Sequence, residues 1–310
     1  MSHEDVSANK VPASQEGTRC GYVAILGRPN VGKSTLMNHL LGQKIAITSR
    51  KPQTTRHNLL GVDTEGLHQA IYVDTPGIHA TAGGRAINRY MVRTATSVLS
   101  DVDLALFLFE ANRWTAEDEL VLEHLQQANC PVVAVINKTD LLDKREMVLP
   151  VMAQTAQRYT FSDIIPCAAL KKTGLEELRT LIFSHLPLGM HMFAEDQVTD
   201  RSERFLVAEI VREKLMRRLG DELPHRSTVA IERYVEGDKV LDIHAIVYVE
   251  RAGQKQIMIG KGGERMKGIG SDAREDIETL LQRKVMLRLW VKVRANWTDD
   301  ERGLSHLGYE

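Results

Sequence analysis

Residues 27–34 read Gly27-Arg-Pro-Asn-Val-Gly32-Lys33-Ser34, a G-x4-G-K-[ST] string set between an apolar run and a helical pattern. Few chain segments are so constrained. The glycines let the backbone wrap tightly, so that successive N–H groups point into one concavity. The helix that follows adds the positive end of its dipole. Such a loop cradles phosphates, and it needs a strand before it and a helix after it. The expected contacts are Gly27, Asn30, Val31, Gly32, Lys33, Ser34 and Thr35. Lys33 would reach the β- and γ-phosphates, and the Ser34 hydroxyl would ligate Mg²⁺.

The surrounding pattern supplies that setting. Gly21–Leu26, Gln69–Asp74, Leu104–Glu110 and Val132–Asn137 are apolar runs bounded by Gly, Pro, Asp or Asn, as expected of strands buried on both faces. Ser34–Leu41 and Ala116–Ala128 have helical spacing between them, and 57–64 can add an antiparallel edge strand. Strands alternating with helices imply an α/β domain with a mainly parallel sheet. A last strand near 164–167 and a helix ending about Leu186 close it. We therefore expect a disordered tail at 1–19, the first domain at 20–186, a linker at 187–202, a second domain at 203–297 and a short tail at 298–310.

Asp74-Thr-Pro-Gly77 ends one predicted strand. Asp74 is placed to hold Mg²⁺, and the Gly77 N–H can approach a γ-phosphate. Thr54 and Thr55 lie between the first helix and the second strand. One of them would close over Mg²⁺ and the γ-phosphate, and the sequence leaves the choice open. The expected metal set is Ser34, Thr55 and Asp74; the groups expected to serve hydrolysis are Lys33, Thr54, Thr55 and Gly77.

Asn137-Lys138-Thr-Asp140 decides the base. A carboxylate at Asp140 accepts from guanine N1–H and the 2-amino group, whereas adenine would leave it unpaired. Asn137 can bridge base and phosphate loop, and the Lys138 stem can lie along the ring. By position, Ala168, Ala169 and Leu170 complete the base pocket, with the Ala169 N–H facing guanine O6. These four segments favour GTP or GDP over ATP, and so argue against an ATPase or a kinase.

The remainder reads as an α+β unit: a helix with Ala208, Val211, Leu215 and Leu219 on one face, two strands (228–235 and 240–249), a glycine-rich loop, a helix over 264–281 and a strand over 285–293. Ile259-Gly260-Lys261-Gly262-Gly263 opens that second helix and matches the G-x-x-G loop of a KH domain of the prokaryotic type, which clamps single-stranded RNA. With Arg265 and Lys267 these are the expected RNA contacts; Ile257, Ile259 and Ile269 would floor the groove. The whole chain of 310 residues has a formal net charge of -1, yet 251–294 holds eleven Lys or Arg against five Asp or Glu. The excess is local, as a polyanion footprint should be. Trp290 alternates within the last strand and is read as core; Trp297 lies outside it and has no assigned role.

Three scattered cysteines, Cys20, Cys130 and Cys167, fit a reducing cytosol and no disulfide framework. The first residues lack the apolar core of a signal peptide, and no segment is long and apolar enough to span a bilayer.

In the order phosphate loop, Lys51-Pro-Gln-Thr-Thr-Arg-His, Asp74-Thr-Pro-Gly, Asn137-Lys-Thr-Asp, Ile259-Gly-Lys-Gly-Gly and Trp290-Val-Lys-Val, the chain resembles the translation-factor-related class of small GTPases and, within it, the Era-like family. The likeness runs from about Gly21 to the C-terminus. Ala168 departs from it, since such proteins often carry Ser there. The resemblance implies GTP hydrolysis, binding to the 3′ end of small-subunit ribosomal RNA and a role in maturation of the small ribosomal subunit. It also implies a cytoplasmic monomer with peripheral membrane contact. Ras-like enzymes place a water-orienting Gln just after D-x-x-G. Here Ile78 stands there, so slow intrinsic turnover is expected. A partner that orders the switch segments would be one remedy. A potassium ion beside Asn30, as in related potassium-dependent enzymes, would be another, although Asn30 also suits the loop simply as a turn former. An RNA chaperone with a structural nucleotide site is the competing reading.

Overall fold

Strand β1 (Arg19–Leu26) sits centrally in a six-stranded sheet of order β2-β3-β1-β4-β5-β6. Its partners are β2 (Leu59–Glu65), β3 (His68–Asp74), β4 (Leu104–Glu110), β5 (Val132–Asn137) and β6 (Asp163–Pro166). Only β2 runs antiparallel, against β3. The computed structural model describes residues 17–78, 86–220 and 223–299. Residues 1–16 of the expected tail lie outside that range, and Arg19 already belongs to β1.

The central strands are apolar without alternation because helices cover both faces. One face packs under α1 (Lys33–Leu40) and α5 (Leu175–His185), burying Val23, Ile25, Leu106 and Leu108. The other carries Ala24, Leu26, Phe107 and Phe109 against α3 (Ala116–Leu125), with α2 (Ala86–Ser97) and α4 (Val148–Ala156) completing the domain. α3 starts where Asp118 Oδ2 accepts from the Thr115 N–H at 2.8 Å, a reciprocal cap. The chain leaves β1 toward β3 on one side and later toward β4 on the other. The loop after β1 therefore opens at the point where strand order reverses, the place such sheets hold ligands.

Residues 187–202 are bound to the first domain. The Val62 N–H donates to Val198 O at 2.8 Å, Thr199 Oγ1 to Leu60 O at 2.7 Å, and Gln69 Oε1 accepts from the N–H groups of Met192 and Phe193. The segment covers the open edge of β2, satisfying backbone groups that an edge strand leaves exposed.

The second domain begins with α6 (Glu203–Arg218), capped by Ser202, whose hydroxyl accepts from the Phe205 N–H. A three-stranded sheet follows, β7 (Ser227–Glu236), β8 (Leu241–Val249) and β9 (Val285–Val293), with β7 antiparallel and β9 parallel to the central β8. α7 (Ala252–Ile259) and α8 (Glu264–Leu281) pack with α6 on one face through Val211, Leu215, Met258, Ile269 and Ile277.

Three expectations need correction here, and Trp297, left without a role, finds its place. α7 stands before the glycine loop, where the reading had Ile257–Ile259 running straight into it; Gln254 Oε1 accepts from the N–H groups of Glu250 and Arg251 and starts the helix. Trp290 is 41% exposed, because it shares the outer face of β9 with Arg288 and Lys292. Trp297 is 1% exposed and packs on Ala86, Ile87, Tyr90 and Met91 of α2. Thr298 is likewise buried: its carbonyl accepts from the Ile87 N–H at 3.2 Å, so the ordered contact passes the expected start of the tail.

Candidate functional site

The phosphate loop turns from β1 into α1 through Gly32, whose φ of 108° is left-handed. A Cβ there would also stand 2.5 Å from Asn137 Nδ2, so the position demands glycine twice over. Asn137 Nδ2 donates to Val31 O at 2.7 Å, and Asn137 Oδ1 accepts from the Ala169 N–H at 2.9 Å. One buried carboxamide thus ties the phosphate loop to the ends of β5 and β6. The Ala169 N–H, expected to face guanine O6, donates here to the Asn137 side chain.

Lys33 is buried and donates to Gly27 O and Arg28 O, each at 3.0 Å. Burial pushes its ammonium down to about 8, partly offset by nearby Asp74. Arg28 anchors the same loop to the domain through Glu110 at 2.9 Å and Asp118 at 3.1 Å. The far side of the loop is held by Lys138, which donates to Asn30 O at 2.8 Å and pairs with Glu110. The Asn30 side chain donates to Arg50 O at 2.9 Å.

Three oxygen-bearing side chains converge beyond Lys33. Ser34 Oγ donates to Asp74 Oδ2 at 2.6 Å and lies 2.9 Å from Thr55 Oγ1, which is itself 3.3 Å from Asp74 Oδ2. Asp74 is fully buried, its carboxyl raised by desolvation, and its Oδ1 has no hydrogen-bond partner. Two hydroxyls and an under-satisfied carboxylate beside a phosphate cradle suit a hard divalent cation such as Mg²⁺. Thr54 faces the other way: its hydroxyl donates to Lys51 O at 2.7 Å and meets Ser49 Oγ at 2.8 Å. The two threonines, equivalent in the sequence, are therefore not equivalent in space. Gly77 lies so close to the loop that a Cβ would come within 2.7 Å of Pro29 N. Ile78 is fully buried in the same cluster as Leu26, Phe107 and Phe109.

Asn30, Lys33, Ser34, Thr55, Gly77 and Asn137 border a cavity of about 900 Å³. Lys138, Asp140, Ala169 and Leu170 line one end of it, with Asp140 exposed at the mouth. Ala168 sits behind, buried, its N–H bonded to Thr173 O at 3.0 Å. Met216 and Arg217 of α6 line the opposite side, which sequence reasoning missed. No local signal marks them, since α6 reads as an ordinary amphipathic helix.

The second domain also grips the segment that carries Thr54 and Thr55. Arg56 is 1% exposed and donates to Ser227 O at 2.8 Å and to Pro224 O and His225 O at 3.1 Å. Glu213 accepts from the Thr48 N–H at 2.9 Å and from Lys44 at 2.7 Å. Lys51 donates to Leu219 O and Gly220 O.

The G-x-x-G loop joins α7 to α8 in the second domain. Gly260, Gly262 and Gly263 have φ of 76°, 61° and 81°, so the turn between α7 and α8 is left-handed at three positions. Lys261, Gly262, Arg265 and Lys267 are exposed there, and Ile259 is half-buried. Ile257 is open beside them, but Ile269 is fully buried in the domain core and cannot floor a groove.

Fold and site together define a P-loop GTPase joined to a KH domain. A family described as "50S ribosome-binding GTPase" matches residues 22–138, and a family described as "KH domain" matches residues 222–298. GTPase Era of Pseudomonas aeruginosa is 54% identical over 307 residues, 99% of this chain and 98% of that protein; GTPase Era of Pseudomonas putida is 57% identical over 292 residues, 94% and 97%. The chain belongs to the GTPase Era family, and it is a GTPase. Among solved structures, a crystal structure of Era with MgGDPNP and nucleotides 1506-1542 of 16S ribosomal RNA superposes with a TM-score of 0.91 at 40% identity, covering 94% of this chain and 99% of that one. Aquifex aeolicus Era bound to GDP.AlF4- superposes with a TM-score of 0.90, also at 40% identity.

Proposed function

We propose that the chain is a GTP-operated RNA-binding switch: it binds the 3′ end of small-subunit ribosomal RNA through its KH domain and acts in maturation of the small ribosomal subunit. The observation that carries this reading is the shared segment 44–57. One side of it presents Thr55 to the Ser34–Asp74 pair, and the other is bonded to α6 and the loop before β7. A change at the γ-phosphate must either keep or break those bonds, so nucleotide state and KH position share a free energy. The arrangement of both domains matches that of the Era protein crystallised with MgGDPNP and 16S nucleotides, which is a more specific guide to the RNA than the class name of the GTPase family.

In this reading Ser34, Thr55 and Asp74 hold Mg²⁺, which neutralises charge that develops on the transferring phosphoryl group. Lys33 leaves its two loop carbonyls for the β- and γ-phosphates. Gly27, Asn30, Val31, Gly32 and Thr35 contribute the backbone around the phosphates, and the Gly77 N–H approaches the γ-phosphate. Asn137, Lys138 and Asp140 take the guanine, with Ala168, Ala169 and Leu170 behind it. No side chain at position 78 orients water, so hydrolysis is slow until the switch segments are held in place. Asn30 would be the residue to hold a potassium ion, which would supply part of that hold; turnover that is equal in sodium and potassium salts removes it from the mechanism. Ile259, Gly260, Lys261, Gly262, Gly263, Arg265 and Lys267 contact the RNA. The protein works as a monomer in the cytoplasm, and any membrane contact is peripheral. Among the described residues no helix is long and apolar enough to cross a membrane.

The test is binding of a 3′-terminal 16S fragment at fixed salt with a GTP analogue, with GDP and without nucleotide. Tighter binding with the analogue is expected. Equal binding in all three states would separate the domains functionally and end the switch reading.

A further inference from the structure

We infer that Arg212, on α6 of the KH domain, is a positioning residue for the GTPase reaction: it holds the Thr54 carbonyl and thereby sets the Thr55 hydroxyl at the magnesium site. The inference rests on the reading of Thr55 as a magnesium ligand.

Arg212 Nη2 donates to Thr54 O at 2.5 Å, and the side chain is 2% exposed. Its guanidinium is clamped in turn by Glu209, one turn earlier on α6, through Nε to Oε1 at 2.7 Å and Nη2 to Oε2 at 2.5 Å. The fork is rigid, and both of its partners are buried or half-buried. A carbonyl and the next Cα belong to one planar peptide unit. Fixing Thr54 O therefore fixes the start of Thr55, whose hydroxyl stands 2.9 Å from Ser34 Oγ and 3.3 Å from Asp74 Oδ2. His57, two residues on, is also packed against this cluster: its ring meets Phe205 of α6 edge-on at 5.7 Å.

A strong bond to a main-chain carbonyl from another domain has a plain consequence. When α6 moves away, Thr54 O loses its charged donor, and Thr55 is no longer held from behind. Occupancy of the metal site by Thr55 then depends on KH docking, which makes the KH domain part of the GTPase machinery without touching the nucleotide's phosphates. This differs from the other contacts to the segment. Arg56 and Lys51 donate to the KH backbone, and so anchor the segment, whereas Arg212 reaches back to the peptide unit that carries Thr55.

The experiment compares dissociation of a fluorescent GTP analogue and of fluorescent GDP from the full chain across a magnesium titration, alongside single-turnover hydrolysis. Arg212→Met is expected to raise the magnesium concentration for half-maximal retention of the analogue by about tenfold, the size of a typical coupling between sites, and to leave GDP retention close to wild type. Arg212→Lys, which can make one bond but not the fork, should fall between. Arg218→Ala breaks only an exposed pair with Asp272 inside the KH domain and should stay within about twofold. Thr55→Ala separates the two readings: if it leaves the magnesium dependence unchanged, the ligand assignment fails. If Thr55→Ala shifts it and Arg212→Met does not, the positioning role is overturned. A shift of equal size for the analogue and GDP, or in Arg218→Ala, reports general loosening and also overturns it. Should Arg212→Met fail to fold by circular dichroism, Arg212→Lys and Glu209→Gln decide the matter by the same criterion.

Discussion

Asn137 Nδ2 and the Val31 carbonyl are 2.7 Å apart, joining the end of β5 to the phosphate loop across 106 residues. The same side chain receives the Ala169 N–H, so its removal leaves a buried donor and a buried carbonyl without partners. Asn137→Ala should weaken GDP binding by about 10–100-fold, the equivalent of about 1–3 kcal/mol for orphaned buried groups. Fluorescent nucleotide titration measures it; an unchanged affinity would remove Asn137 from the organisation of the site.

Asp140 stands at the mouth of the cavity as a carboxylate acceptor. Asp140→Asn replaces one acceptor with an amide donor, which suits a 2-oxo purine better than guanine. GTP affinity should fall by about 100-fold or more, and xanthosine triphosphate should bind better to the variant than to the parent. Competition between the two nucleotides reads both changes.

Lys33 predicts a pH dependence. Burial brings its ammonium from 10.5 to about 8. Between those values the folded, nucleotide-free protein binds fewer protons than the unfolded chain. This group therefore adds to stability as pH rises through that window, and it is unfavourable to folding below about pH 8. Phosphate binding needs the charged form. GDP affinity should fall above pH 8, by up to about tenfold per pH unit, with proton uptake on binding. Calorimetry in buffers of different ionisation heat measures the uptake; no uptake at about pH 9 would contradict the shift.

Gly262 has a left-handed φ of 61° and open space where a Cβ would go. Aspartate tolerates that backbone, so Gly262→Asp should fold and place a negative charge where RNA phosphates are expected. Affinity for a 16S 3′ fragment should drop by at least about tenfold. Lys261→Ala should weaken binding to any sequence and flatten the salt dependence by about one unit of slope. Filter binding across a salt series distinguishes the two.

Trp297 packs on α2 of the GTPase domain, and Arg56 lies 5.9 Å from its ring. Trp297→Ala should cost about 3–5 kcal/mol. Urea unfolding should then show the two domains melting apart. A single transition at the parent midpoint would mean this contact does not hold them together.

How much of this was readable beforehand differs from element to element. β4, β5 and α8 were expected at the bounds they have, because unbroken apolar runs and helical spacing report burial directly. The helix before the G-x-x-G loop was not: Gly253 and two isoleucines weaken its pattern, and only the Gln254 cap marks it. Trp290 was misplaced although a signal existed. Positions two away on either side, Arg288 and Lys292, are charged, and β9 keeps its valines and leucines on the other parity.

By itself the sequence determined the phosphate loop, the guanine motif and the glycine turn of the second domain. Each is a contiguous string whose chemistry is local, since neighbouring backbone groups and side chains make the site. Only the tertiary structure decided which threonine meets Asp74, where Trp297 goes and that Arg212 holds Thr54. Those depend on how two separately folded cores dock, and residues 158 positions apart carry no periodicity that announces their contact.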